Sequence, residues 1–165
     1  LEDDGHDPDL VQAVAGDAVS DERLLCDLID VLDRIRLLSQ LREQNRLVAL
    51  QAVVQRAARL AEKGDLSYGV LDAADAVDPE RFASPSEQAM YGVVQQLKPL
   101  AQARNYQALA NALVEATPSL EAFFDGDQSV MVMADDPELR RNRLNLLSVL
   151  RNQATVLAQF ERIQA

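Results

Sequence analysis

One cysteine (Cys26), one histidine (His6) and glycines scattered at 5, 16, 64, 69, 92 and 126 leave most catalytic chemistries without their parts. A lone thiol excludes an intramolecular disulfide framework and points to a reducing compartment. Zinc sites draw on several Cys or His ligands, and two such residues are too few. A His-dependent triad needs an imidazole held against its nucleophile, whereas His6 stands in an acidic, polar opening stretch that gives poor support. An enzyme built on Cys26 as nucleophile lacks that partner, and Cys26 reads as an inert helix residue. Glycines spaced this way form no phosphate-cradling loop. We expect no catalytic residues in this segment.

Long apolar runs are also missing. None approaches the roughly 20 residues that a membrane-spanning helix needs, and no signal-peptide pattern opens the chain. The expected setting is therefore cytoplasmic, with no membrane partner. The chain begins at Leu1 without an initiating Met, which reads as a piece of a longer protein. Strand-formers are scarce: Ile and Thr together number five, against 25 Leu and 24 Ala in 165 residues. Leu and Ala lose little side-chain freedom in helices, so this mixture predicts an all-α fold. The length suits one domain with a real core.

The net charge of −11 opposes nucleic-acid binding until its distribution is read. Residues 1–33 carry −10, residues 34–63 carry +5, residues 64–139 carry −10 and residues 140–165 carry +4. Phosphate attraction follows the local field, because screening limits reach to about 8–10 Å. Fourteen of the 16 cations are Arg, the better residue for bidentate phosphate contact and base stacking. The alternative is ordinary solvated helix faces with surface ion pairs.

Residues 1–19 read as an acidic linker or weakly ordered segment, such as a helix remnant, and residues 20–165 as the helical domain. Ser20 is placed to cap a helix with Asp21 and Glu22 in its first turn, and Leu24, Leu28, Val31, Ile35 and Leu38 form one apolar stripe. A second helix over about 45–62 buries Leu47, Leu50, Val54, Ala57 and Ala61 and turns Arg56, Arg59 and Lys63 outward, with Gly64 as stop signal. Whether these two helices are continuous is open. Residues 64–83 read as a connection with one helical turn. Ser84-Pro85-Ser86-Glu87 is a capping box opening a helix to about Lys98, where Pro99 interrupts or kinks it. Another helix is expected from Arg104 to Glu115 and a short one over 118–124. Val130 to Met133 reads as buried connecting chain, and the three Met as core filler. Asp136-Pro137-Glu138 opens a last helix reaching nearly to Ile163.

The stretch FFDGDQSVMVMADDPELRRNRLNLLSVLR (123–151) closely resembles the end of the bacterial glycyl-tRNA synthetase beta subunit. The family pattern is FFD, a VMVM-like run, then D-x-x-L-R-x-N-R-L-x-L-L. It falls here on Phe123, Phe124 and Asp125, on Val130 to Met133, and on Asp136, Leu139, Arg140, Asn142, Arg143, Leu144, Leu146 and Leu147. VDPERFASPSEQAMY (77–91) and RAARLAEKG (56–64) also look like the family, so the resemblance spans about 34–160. Gly126 to Ser129 lengthen the usual spacing, and QATVLAQFERIQA replaces an aromatic-rich end. More distantly, the chain resembles the helical, DALR-type anticodon-binding domain of arginyl-tRNA synthetase. The expected fold is an all-α helical bundle of about five to seven helices, DALR-like, its long C-terminal helix packed on the pair at 20–62. The resemblance implies a C-terminal anticodon-arm-binding domain. It further implies recognition of the anticodon arm of the tRNA for glycine. Implied partners are the rest of the beta subunit and the alpha subunit, in a heterotetramer. ATP and Mg serve the parent enzyme in its alpha subunit, and no cofactor is implied for this domain. A noncatalytic helical module contacting another subunit is the alternative.

Helical angles at 100° per residue divide the last helix. Leu139, Leu146, Leu150 and Leu157 share one direction, with Arg143 inside that stripe and Arg140 at its edge. A guanidinium facing a core needs a carboxylate, which makes Arg143 structural, with Asp125 or Asp136 as the expected partner. Arg141, Asn145, Ser148 and Asn152 fall on the opposite face with Arg151 at its edge, a pattern suited to phosphate contact and base-edge reading or to a plain wet face. Arg56, Arg59 and Lys63 offer the same choice. Tyr68, Tyr91 and Tyr106 are candidates for stacking on unpaired bases, or for the core.

Overall fold

A computed structural model describes residues 5–15 and 28–164. Cys26 and the helix start expected at Ser20, Asp21, Glu22 and Leu24 lie outside the described residues. Within them the fold is all-α, with six α-helices and no strand. These are α1 (Pro8–Ala15), α2 (Leu28–Glu43), α3 (Leu47–Ala61), α4 (Pro85–Gln102), α5 (Tyr106–Phe124) and α6 (Pro137–Thr155). Short 3₁₀ turns at Ala73–Asp75, Pro79–Arg81 and Phe160–Arg162 complete the set.

Helices α3, α6, α4 and α5 pack in a closed ring, each against the next and α5 back on α3. The apolar stripe of α3 read from the sequence is the buried one, from Leu47 to Ala61. Of the pair at 20–62, only α3 carries α6; α2 packs instead on α1 and α3. The C-terminal turn closes over α1 and α3, with Phe160 in the core.

The breaks between helices have local causes. Asn45 sits at φ 55°, and the Arg46 and Asn45 amides donate to the carbonyls of Leu41 and Arg42, both at 2.9 Å. This left-handed cap separates α2 from α3. Arg104 (φ 51°) ends α4 in the same way, with the Asn105 amide bonded to the Leu100 carbonyl. The Asn105 side chain then caps α5. The capping box at Ser84 and the Asp136 cap of α6 form as expected.

Several expectations are corrected. Of the two readings of the opening stretch, residues 8–15 take the helical one and bury Leu10, Val11, Ala13 and Val14 in the core. Pro99 does not interrupt α4, which runs on to Gln102. The helices expected on either side of Pro118 are one, α5. A proline removes one helical bond, but Leu113, Thr117, Leu120 and Phe123 bury the same side of α5 on both flanks of Pro118. That continuous packing carries the helix through, and the Thr117 hydroxyl donates back to the Leu113 carbonyl at 3.1 Å. In the 130–133 run only Val132 is buried; Met131 is 74% exposed and Met133 is exposed too, so of the three Met only Met90 fills the core. Finally, α6 stops at Thr155 because the chain turns back onto α1, where the Gln159 amide donates to the Ala13 carbonyl at 2.8 Å.

Arg42 on α2 clamps the start of α1. It donates to Asp7 at 2.6 Å and to Asp9 at 3.0 and 2.5 Å, while Asp9 also accepts from the Gln164 amide at 2.8 Å. The hydrogen bond from Arg42 holds the Asp9 carboxyl below the usual carboxylate range, against the opposing effect of burial. A lowered folded pKa gives stability that is complete above the unfolded value near 3.9 and is lost as pH falls through the folded pKa. Asp9→Asn should therefore lower the melting temperature at pH 7 by about 2–4 °C, as expected for about 1 kcal/mol in a domain of this size. Thermal unfolding followed by circular dichroism between pH 7 and pH 3 should show the two proteins converging below about pH 4.

Candidate nucleic-acid interface

Helix α6 is buried on almost every side from Asn142 to Ala154, including its polar residues. One side meets the ring of helices. The other is covered by the irregular segment 66–78, whose carbonyls lack the donors that a helix or sheet would provide. The α6 amides supply them. Asn142 exchanges two bonds with the Asp78 backbone, at 2.8 and 3.0 Å. Asn145 donates to the Ala76 carbonyl at 2.7 Å, and Asn152 to those of Ser67 and Val70, both at 2.8 Å. Gln153 donates to the carbonyls of Leu71 and Val94, both at 2.8 Å. Arg151 donates to the Leu66 carbonyl at 3.3 Å and to Asn152 at 2.9 and 3.1 Å.

Three of the expected RNA contacts are thereby corrected. Asn145, Asn152 and Arg151 are buried, and their donors are bonded inside the domain. Ser148 is buried as well and bonds back to the Leu144 carbonyl. A helical wheel finds the face opposite the Leu stripe. It does not reveal that residues 66–78 lie on that face. The one available signal was the spacing of amide side chains along α6 opposite a segment with little regular structure.

Arg143 is buried, as its place in the apolar stripe requires, but its partner is Glu87 rather than Asp125 or Asp136. Its Nε donates to Glu87 Oε1 at 2.8 Å and its Nη2 to Oε2 at 3.3 Å, while Nη1 reaches the Met131 carbonyl at 2.9 Å. Glu87 Oε2 also accepts from the amides of Ala83 (2.8 Å) and Ser84 (2.9 Å). The capping acid of α4 is thus the counter-ion of α6. Asp136 caps α6 through the Glu138 and Leu139 amides, and Leu139 is half-buried. Arg140 donates to the Ala134 carbonyl at 3.2 Å.

The remaining candidates lie outside. Arg56 is fastened, paired with Asp125 at 2.6 Å and set 4.7 Å from the Phe124 ring centroid. Arg59, Lys63 and Arg141 are exposed and have no carboxylate within ion-pair distance among the described residues. Gly64 brings two of them together: a Cβ there would lie 3.3 Å from Leu144 Cβ, so the end of α3 rests directly on α6. Lys63 consequently shares a concavity of about 440 Å³ with Arg140 and Arg141, whose wall also holds Asp65. Arg141 borders a second hollow of about 410 Å³ of mixed charge, with Arg81 facing Asp75, Asp78 and Glu138. Arg56 and Arg59 line a third, of about 480 Å³.

The tyrosines separate. Tyr91 is buried edge-on to Phe82 at 5.6 Å. Tyr106 is half-buried, 5.3 Å from the Arg34 guanidinium, and burial followed by its hydrogen bond to Asp30 pushes its hydroxyl up to about 12. Tyr68 alone is open, 62% exposed. Among the described residues no three His, Cys, Asp or Glu gather as metal ligands would, and no helix is long and apolar enough to cross a membrane.

No protein-family model matches the chain. It is similar to the glycine–tRNA ligase beta subunit of a Picosynechococcus species, 47% identical over 164 residues, covering 96% of this chain and 23% of that protein. The same subunit of Gloeothece citriformis is 44% identical over 99% of this chain and 24% of its own length. That of Anaeromyxobacter dehalogenans is 35% identical over 96% and 21%. The chain thus spans about a quarter of the length of the relatives it matches.

Breaking the Arg143–Glu87 pair should be costly, because it leaves a buried charge uncompensated. Arg143→Met is expected to destabilise by about 3–5 kcal/mol. Adding Glu87→Gln should recover part of that loss, read as a coupling energy in a urea-unfolding double-mutant cycle. Additive losses would show that the pair is not coupled.

Proposed function

We propose that this chain is part of the beta subunit of a glycine–tRNA ligase and that it holds the anticodon arm of the tRNA while other parts of the enzyme perform ATP-dependent aminoacylation. Its partners in that reading are the rest of the beta subunit and the alpha subunit, in the cytoplasm. The relatives' name supports the ligase assignment. The observation that carries the tRNA contact is the pair of exposed cations Lys63 and Arg141, which share a concavity at the junction of α3 and α6, with Arg59 exposed one turn earlier on α3. They give a local positive field on an anionic chain, within a Debye length of a docked phosphate backbone. With Asn145 and Asn152 turned inward, these contacts are to phosphate and position the RNA; they do not read its bases.

A second reading, contact with another subunit, is favoured by a different surface. Met131 and Met133 are exposed beside the buried Val132, on a loop fixed by the bond from Arg143 to the Met131 carbonyl. Binding to a partner protein that is insensitive to salt, with none to tRNA, would select it.

Arg59→Ala, Lys63→Ala and Arg141→Ala should each weaken binding of the glycine tRNA and reduce the slope of log affinity against log salt by about 1. Melting temperatures should stay within about 2 °C of the parent, because the side chains are exposed. Filter binding between 50 and 200 mM salt measures both quantities. Unchanged affinity and slope in all three variants would overturn the assignment.

A further inference from the structure

We propose that Tyr68 is the platform of a single-nucleotide subsite, taking one unpaired RNA base on its outer face and the neighbouring phosphate on Arg104. The proposal rests on the tRNA reading above and deepens it. Tyr68 lies on the segment that α6 clamps, and its inner face is held by the Arg151 guanidinium, 3.8 Å from the ring centroid. Arg151 is itself buried and fixed by the Leu66 carbonyl and the Asn152 side chain. The neighbouring carbonyls of Ser67 and Val70 are both pinned by Asn152. The ring is therefore oriented before any ligand arrives, and the ordering cost of stacking on it is small. With Arg151 against one face, the other face of the ring is open, and Tyr68 is 62% exposed.

The surroundings match a nucleotide. Tyr68 borders a cleft of about 590 Å³, ample for one base and its sugar, lined by Arg34, Arg104, Asn152 and Gln159. Arg104 is exposed and has no carboxylate partner among the described residues. Arg34 is more than nine-tenths buried, paired with Asp30, and keeps its Nε–H without an acceptor. An aromatic face beside a free cation is the pairing that binds single-stranded nucleic acid, the ring taking the base and the cation the backbone. Lys63 is five residues upstream, so its Cα lies at most about 18 Å from that of Tyr68. One RNA loop can then meet both the phosphate-binding cations and the platform.

The test uses the full 165-residue chain and three RNAs of equal phosphate count: the glycine anticodon stem-loop, an unstructured oligonucleotide and a fully paired duplex. Tyr68→Ala should lower affinity for the two RNAs with unpaired bases about tenfold, as lost stacking on one base predicts. Duplex affinity should not change. Tyr68→Phe should bind as the parent does. Arg104→Ala should weaken the unpaired RNAs and flatten their salt dependence. An unchanged loop affinity in Tyr68→Ala, or an equal loss for loop and duplex, would overturn the platform. Loss of all three RNAs in Arg59→Ala with the Tyr68 effect absent would leave the phosphate contacts standing without it. A Tyr68 effect on the oligonucleotide in a parent chain indifferent to the glycine stem-loop would uphold the platform and defeat the tRNA reading.

Discussion

The demand of part-buried carbonyls for donors shapes much of this molecule. Residues 66–78 cross the outer side of α6 with only a 3₁₀ turn of regular structure, so their backbone acceptors look to side chains. A carbonyl shielded from water and left unmet would cost up to roughly 1–3 kcal/mol, and these part-buried ones fall at or below the lower end. Asn142, Asn145, Asn152, Gln153 and Arg151 meet that demand along one side of α6. The opposite side carries the Leu stripe, with Leu146, Leu147 and Leu150 in the core. A helix with many polar residues is therefore an interior helix, and its polarity serves the fold before it serves a ligand.

The same logic sorts the cations. Arg143 and Arg151 are buried where a planar fork can satisfy several acceptors at once, a task for which the point charge of lysine is poorly suited. Arg42 and Arg56 fasten one element to another through carboxylates. Arg59, Lys63 and Arg141 are left with water as neighbour. An overall charge of −11 says little about any one of these places, because the internal pairs neutralise each other and the exposed cations act over only about 8–10 Å.

Local signals in the chain were dependable where a few neighbouring residues settle the outcome. The Ser84 capping box and the Asp136 cap need only residues within one helical turn, and both form. The apolar stripe of α3 was equally clear, since its 3.6-residue period states which side must leave water. Proline ends no helix at 99 or 118, where burial on both flanks outweighs one missing hydrogen bond. The opening segment left linker and helix remnant open, and the choice is tertiary: Asp7 and Asp9 bind Arg42 and the apolar side of α1 enters the core.

For the candidate interface, the sequence by itself determined the supply of cations, their two clusters and the outward direction of Arg59 on α3, because helical phase against an apolar stripe is a local property. It also showed that Arg143 had to find a carboxylate, since it lies within that stripe on α6. Only the tertiary structure decided that the carboxylate is Glu87, more than fifty residues upstream. It alone turned Asn145, Asn152 and Arg151 inward and left Tyr68 open above Arg151. The physical reason is that a helical wheel knows two sides, core and solvent. Which polar residues face water depends on what other chain is laid across them, and that is settled by contacts between distant segments.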